Sequence, residues 1–194
     1  MNQETKMFEE QKKQILDSGN RRQFYDKDGK PLGVRDIDDN KGRCDLMVLD
    51  CIARYFKLEE ALNVKSSVCA HIINMLDCVL WNKIDEKMTQ EDYIYSAIGA
   101  FIAEAYNDKA GEAFMELSLH YRDGAAKYGE HNFRKGIPCH CYIDSAIRHL
   151  LKWHDGWEDE PHDRAVLWNL FGLAWTLTNK PELNDLPYTQ ELGI

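Results

Sequence analysis

The chain is poor in positive charge. Its 24 lysines and arginines stand against 33 aspartates and glutamates in 194 residues, a formal net charge of −9. A general grip on a nucleic-acid backbone needs clustered Lys and Arg, so the composition disfavours that class of partner, and no nucleic-acid partner is expected. Long apolar runs are missing too: the longest extend only a few residues, against the ~20 that a membrane-spanning helix requires. The opening Met1-Asn2-Gln3-Glu4 does not read as a secretion signal, and the expectation is a soluble cytoplasmic protein with no membrane partner. No Cys-x-x-Cys pair occurs, and the cysteines at 44, 51, 69, 78, 139 and 141 read as free thiols rather than a disulfide frame. Cys139-His140-Cys141 offers one ligand knuckle where a structural zinc site shows two, and reads as small residues at a helix start. There is no internal repeat, no low-complexity run and no strand-like alternation to rival the helical periodicity.

What the chain does have is apolar content: 44% hydrophobic and 11% aromatic, enough for one domain that buries about 70% of its unfolded surface. Residues 1–42 are polar and rich in turn formers, with too few apolar side chains to offset the entropy of ordering. They read as an irregular N-terminal arm. Helical spacing begins at Asp45 with Val48, Leu49, Ile52, Tyr55 and Phe56, and resumes over Val68, Ile72, Ile73, Leu76, Val79 and Leu80. Thr89-Gln90-Glu91-Asp92 reads as a capping sequence ahead of Ile94, Ile98, Phe101, Ile102 and Ala105. A fourth helix starts at Asn107-Asp108 and stops at Gly124 or Gly129, and a fifth spans about 141–153. The sixth, about 161–177, opens on a proline and is apolar nearly all round, so it should be central. The predicted architecture is an all-α helical bundle of about six helices over residues 43–180, with 181–194 as a C-terminal extension.

Polar residues that do not fit a solvated face concentrate between Glu112 and Asn169. Glu116 and His120 share a helix face, as do Asp144 with Arg148 and Ser145 with His149. Glu158, Asp159, Glu160, His162 and Asp163 follow the next turn, and Asn169 lies two helical turns beyond His162. Carboxylates and imidazoles on three helices, with Lys127 and Lys135 on the glycine-rich stretch joining two of them, suit a divalent cation beside a bound polyphosphate. Taken singly, each has a plainer reading. Asp144 with Arg148 is an ion pair of a few tenths of a kcal/mol, His149 a satisfied histidine and Glu158 to Glu160 helix-start acids. Trp153, Trp168 and Trp175 read as core.

A resemblance adds to this. Ser18-Gly19-Asn20-Arg21-Arg22-Gln23-Phe24, Gly33-Val34-Arg35-Asp36, Gly42-Arg43-Cys44-Asp45-Leu46-Met47, the run from Gly124 to Pro138, Asp144-Ser145-Ala146-Ile147-Arg148-His149 and the run from Asp159 to Asn169 look like the phage and prophage family named dATP/dGTP diphosphohydrolase, N-terminal domain. Residues 57–108 read as a variable helical insert. The resemblance implies hydrolysis of a purine deoxynucleoside triphosphate to the monophosphate and pyrophosphate, a task shared with the all-α MazG-like pyrophosphatases, and a homo-oligomer, with a dimer expected. The MazG-like pattern of Glu-x-x-Glu and Glu-x-x-Asp is not matched: Glu112 with Glu116 and Asp159 with Asp163 are each four apart.

The leading expectation is a Mg2+- or Mn2+-dependent nucleotide phosphohydrolase of phage origin acting in the host cytoplasm. Glu116, Asp144, His149, Asp159 and His162 would hold the metal, with Glu116, Asp144 or Asp159 orienting the attacking water. Arg43, Lys127, Lys135 and Arg148 would bind phosphate, Tyr128 or Phe133 would lie against the base, and Asn132 or Asn169 would read its edge. Three alternatives stay open: a nucleotide-sequestering, anti-defence protein without catalysis, an HD-type phosphohydrolase centred on His162-Asp163, and a helical interaction protein whose charges are all solvated.

Overall fold

The computed structural model describes residues 21–36, 44–49, 51–53, 56 and 64–188. Arg43, Tyr55, the rest of the arm, residues 57–63 of the proposed insert and the last six residues of the chain lie outside the described residues.

Two strands, β1 (Arg21–Tyr25) and β2 (Pro31–Asp36), pair antiparallel with Gln23 opposite Val34, and an irregularity follows at Tyr25. The arm is therefore not irregular here. Asp26 makes the turn by accepting the N–H groups of Asp28 (2.9 Å) and Lys30 (2.8 Å), and Gly29 takes the positive φ that closes it. A two-stranded ribbon is marginal alone, and this one is held by a partner about a hundred residues away. The Gly33 N–H donates to the Gly136 carbonyl at 2.5 Å, and a Cβ on Gly33 would lie 2.6 Å from that same oxygen. The buried Asn132 amide donates to the Val34 carbonyl (3.1 Å) and accepts the Val34 N–H (3.4 Å). Leu32 and Val34 are buried by this docking.

The helices follow the apolar periodicity. Among the described residues the long ones are α1 (Val64–Leu80), α2 (Gln90–Tyr106), α3 (Ala110–Tyr128), α4 (Cys139–His154) and α5 (His162–Asn179), and Leu49, residues 51–53 and Phe56 are helical as well. The capping box read at Thr89 is formed: Thr89 Oγ1 accepts the Asp92 N–H at 3.2 Å, and the Asp92 carboxylate accepts the Thr89 N–H at 2.7 Å. That bond holds the Asp92 carboxyl below its ordinary range. Helix α3 runs through Gly124 and ends at Gly129, whose φ is +89°. Helix α5 is central, packing on α4, α2 and α3. Residues 64–108 belong to the same core: Ile72, Ile73, Leu76, Ile94 and Phe101 are fully buried with Ile147 and Leu167. Trp153 meets Phe101 edge to face at 4.9 Å. No helix among the described residues is long and apolar enough to cross a membrane.

Residues 181–188 do not extend from the surface. Leu183 and Leu186 are buried, and the Tyr188 hydroxyl reaches Gln90 on α2 at 3.1 Å. Asp185 clamps the start of α4, accepting the His140 N–H at 3.0 Å on one oxygen and contacting His140 Nδ1 with the other. The His140 imidazole is pushed up to about 10, first by its bond to Asp185 and then by one to Cys141. A raised value means stability that is complete below the unfolded imidazole's range near 6.5 and is lost as pH rises towards 10. Urea midpoints measured between pH 6 and pH 10 should fall over that interval in the native chain, and Asp185→Asn should flatten the dependence.

Candidate metal centre

The last third of α4 and the first turn of α5 run antiparallel and are joined by the irregular segment 155–161, so His149 faces His162 across the seam. His162 is the first helical residue of α5 and is 3% exposed. The segment between the helices folds Asp159 and Glu160 back onto these rings. His162 Nε2 lies 2.7 Å from Asp159 Oδ1, and Asp159 Oδ2 takes the Lys152 ammonium at 2.6 Å. Lys152 first, and His162 second, hold the Asp159 carboxyl down to about 2, so it is a carboxylate and can only accept. His162 must therefore carry its hydrogen on Nε2. In the neutral ring Nδ1 is left with a bare lone pair.

That lone pair is aimed at His149 Nδ1, 2.9 Å away, and Glu160 Oε1 stands 3.6 Å from the His149 atom and 3.8 Å from the His162 atom. The point equidistant from these three atoms lies about 2 Å from each, the length of a metal–imidazole or metal–carboxylate bond. Among the described residues, His149, Glu160 and His162 are the one group of three or more whose ligand atoms converge in this way. The donors fit a divalent cation on chemical grounds as well as on distance. Two imidazoles and one carboxylate suit Mn2+, Fe2+, Co2+ or Zn2+, whereas Mg2+ favours oxygen ligands and retained water. The Asp159–His162 bond is the carboxylate–histidine arrangement that orients a metal-ligating ring.

The other expected site residues are placed elsewhere. Glu116 is paired with Arg164, and Asp144 with Arg148 while it also accepts the Cys44 N–H at 2.5 Å, so neither joins the three donors. Asp144 is five residues back from His149, about 7.5 Å along the helix. Arg148 also reaches Ser145 at 3.3 Å. Asn169 is on the His162 side of α5, but it is buried and its amide donates to the Ala165 carbonyl at 2.7 Å. Lys127 lies over the Tyr128 ring at 5.2 Å. The glycine-rich loop does not overlook the histidines. Its Phe133 packs on Trp175 at 5.6 Å between ring centres, and Trp175 is thirteen residues from His162, about 20 Å along α5. Asn132 and Lys135 go with that loop, Asn132 being committed to the hairpin and Lys135 exposed.

Glu160 stands in the polar constellation of the sequence but not among the expected ligands, and Lys152 is not singled out there. The approach of Glu160 to the rings is set by an irregular turn with no periodicity to reveal it. Lys152 stands one turn from His149 on α4, a spacing that could have drawn notice. Around the centre, the Tyr106 hydroxyl donates to Asp163 at 2.6 Å, and burial, followed by that bond, pushes its phenol well up. His120, 5.8 Å from the Trp168 ring, is held below its ordinary value chiefly by burial.

The sequence model of the family described as dATP/dGTP diphosphohydrolase, N-terminal, matches residues 84–186, more than half of the chain. The chain belongs to this family. The dATP/dGTP diphosphohydrolase N-terminal match runs from just ahead of α2 to the packed C-terminal segment, and it holds His149, Lys152, Asp159, Glu160 and His162. The hairpin and Cys44, which carried part of the resemblance, fall outside the span, while residues 84–108 of the stretch read as an insert fall within it. No curated protein and no solved structure matches the chain.

If the three donors hold a cation, Asp159 fixes the ring that presents His162 Nδ1. Outer carboxylates of this kind are worth ten- to a hundredfold in metal affinity. Asp159→Asn should therefore weaken Mn2+ binding by about that factor, measured by calorimetric titration, with the helical circular dichroism unchanged.

Proposed function

We propose that this chain is a divalent-cation-dependent phosphohydrolase that converts a purine deoxynucleoside triphosphate to its monophosphate and pyrophosphate. The family description supports the substrate class and the reaction. The observation that carries the metal dependence is the convergence of His149 Nδ1, His162 Nδ1 and Glu160 Oε1 about one point. In this reading His149, Glu160 and His162 hold the cation and Asp159 holds His162. A cation bound there would supply charge for phosphate oxygens and acidify a bound water. Glu160, about half exposed, leaves the centre open to solvent and so to a substrate.

The test is direct. With dATP or dGTP and Mn2+, the purified protein should release the nucleoside monophosphate and pyrophosphate, and EDTA should stop the release. No turnover of any of a panel of nucleotides, cyclic ones included, contradicts the proposal. A second reading, nucleotide capture without cleavage, is favoured by one observation: Glu116 and Asp144 are each committed to an arginine, leaving few free carboxylates for a two-metal mechanism. It predicts a thermal shift by nucleotide that survives EDTA, with the ligand recovered intact.

A further inference from the structure

At the opposite end of α4 from the metal centre, three residues that the proposed function does not use are arranged as a relay. Asp185 contacts His140 Nδ1 with one oxygen and the His140 backbone N–H with the other, so the ring is gripped at two points. The remaining nitrogen, Nε2, lies 3.3 Å from Cys141 Sγ. The two ring nitrogens of His140 thus face different partners, which is a proton relay and not a chelate. Cys141 is the third residue of α4, in the turn where backbone N–H groups and the helix dipole favour a negative sulfur. The side chains of His140 and Asp185 are 28% and 39% exposed, so the group is open to a small solute. By contrast, Cys139 is fully buried and burial pushes its thiol up.

We propose that Cys141 is an activated nucleophilic thiol, positioned by the Asp185–His140 pair, that exchanges with small aliphatic disulfides. The His140 imidazolium presents its Nε2–H to the Cys141 sulfur, the Cys141 proton leaves to solvent, and the sulfur attacks one sulfur of the disulfide. The S–S bond of the reagent breaks as the new one to Cys141 forms, and the departing thiolate takes the Nε2 proton of His140, which the ring recovers from solvent. Cys141 is oxidised to a mixed disulfide and half of the reagent is reduced to thiol. The bond to Asp185 first, and that to Cys141 second, push the His140 imidazole up to about 10, so the ring faces the sulfur as an imidazolium. This inference stands on the Cys141 geometry and does not rest on the nucleotide chemistry.

The experiment treats the full-length protein at pH 7 with oxidised glutathione and follows each cysteine by peptide mass mapping. Cys51, which is exposed, serves as the reference within the same molecule. Cys141, with an imidazolium beside its sulfur, should take up the label about tenfold faster than Cys51. His140→Gln should bring it to the Cys51 rate, and Asp185→Asn should give an intermediate rate, with folding followed by circular dichroism. Uptake at Cys141 no faster than at Cys51 in the unsubstituted protein overturns the proposal, as does a rate that His140→Gln leaves unchanged. The unsubstituted comparison decides the question even if a variant fails to fold.

Discussion

His162→Ala should abolish Mn2+-dependent hydrolysis and cut Mn2+ affinity by more than a hundredfold. The figure follows from what the side chain does. Loss of an orienting carboxylate costs ten- to a hundredfold, and His162 is itself one of three donors. The substitution deletes one corner of the triangle and leaves two atoms 3.6 Å apart, His149 Nδ1 and Glu160 Oε1. It also strips Asp159 of one partner, though Lys152 still holds that carboxylate. His162 is buried, so the cavity will lower stability as well. Calorimetric metal titration at a temperature where the variant is fully folded separates the two effects. Retention of native Mn2+ affinity in the folded variant would place the ion elsewhere.

Gly172→Ala should destabilise the fold by about 2 kcal/mol, although alanine is the better helix former by about 1 kcal/mol. Position 172 lies on α5 where it crosses α4, and an added Cβ would stand 2.3 Å from Tyr142 Cε1 and 2.9 Å from two other atoms of the ring. Tyr142 is fully buried and meets Trp168 at 5.6 Å between ring centres, so it has no open space into which to swing. Overpacking of this kind costs about 1–3 kcal/mol, and a blocked rigid ring puts this site at or above the upper end, which outweighs the gain in propensity. In a chain of this length the change lowers Tm by about 6 °C. Adding Tyr142→Leu should recover part of the loss, because the two residues are in contact and their effects do not add. An unchanged or higher Tm for Gly172→Ala would contradict this account of the seam that brings His149 to His162.

Much of this fold was legible because it rests on local signals. The periodicity of Ile72, Ile73 and Leu76, the capping box at Thr89, and the proline ahead of α5 act over a few residues, and each has its expected place in the bundle. The hairpin was not legible, since Gln23 and Val34 alternate too weakly to specify strands. Its order comes from Gly33 and Val34 meeting Gly136 and Asn132 across the chain. The same distinction divides the candidate site. His149 and His162 could be singled out from residue type and helix face. Glu160 reaches them only through the shape of the 155–161 turn, and Asp185 reaches His140 only because the C-terminal segment folds back. The arginine partners of Glu116 and Asp144 had opposite legibility. Arg148 stands at i,i+4 from Asp144 and was visible, while Arg164 comes to Glu116 from another helix.

The central claim is that one divalent ion belongs among His149, Glu160 and His162. It is tested most directly by soaking crystals of the protein in Mn2+ and recording anomalous scattering. A single strong peak should lie about 2 Å from His149 Nδ1, His162 Nδ1 and Glu160 Oε1, with Asp159 still bonded to His162 Nε2. A peak on Glu116 or Asp144 instead, or none at a Mn2+ concentration that supports turnover, would contradict it.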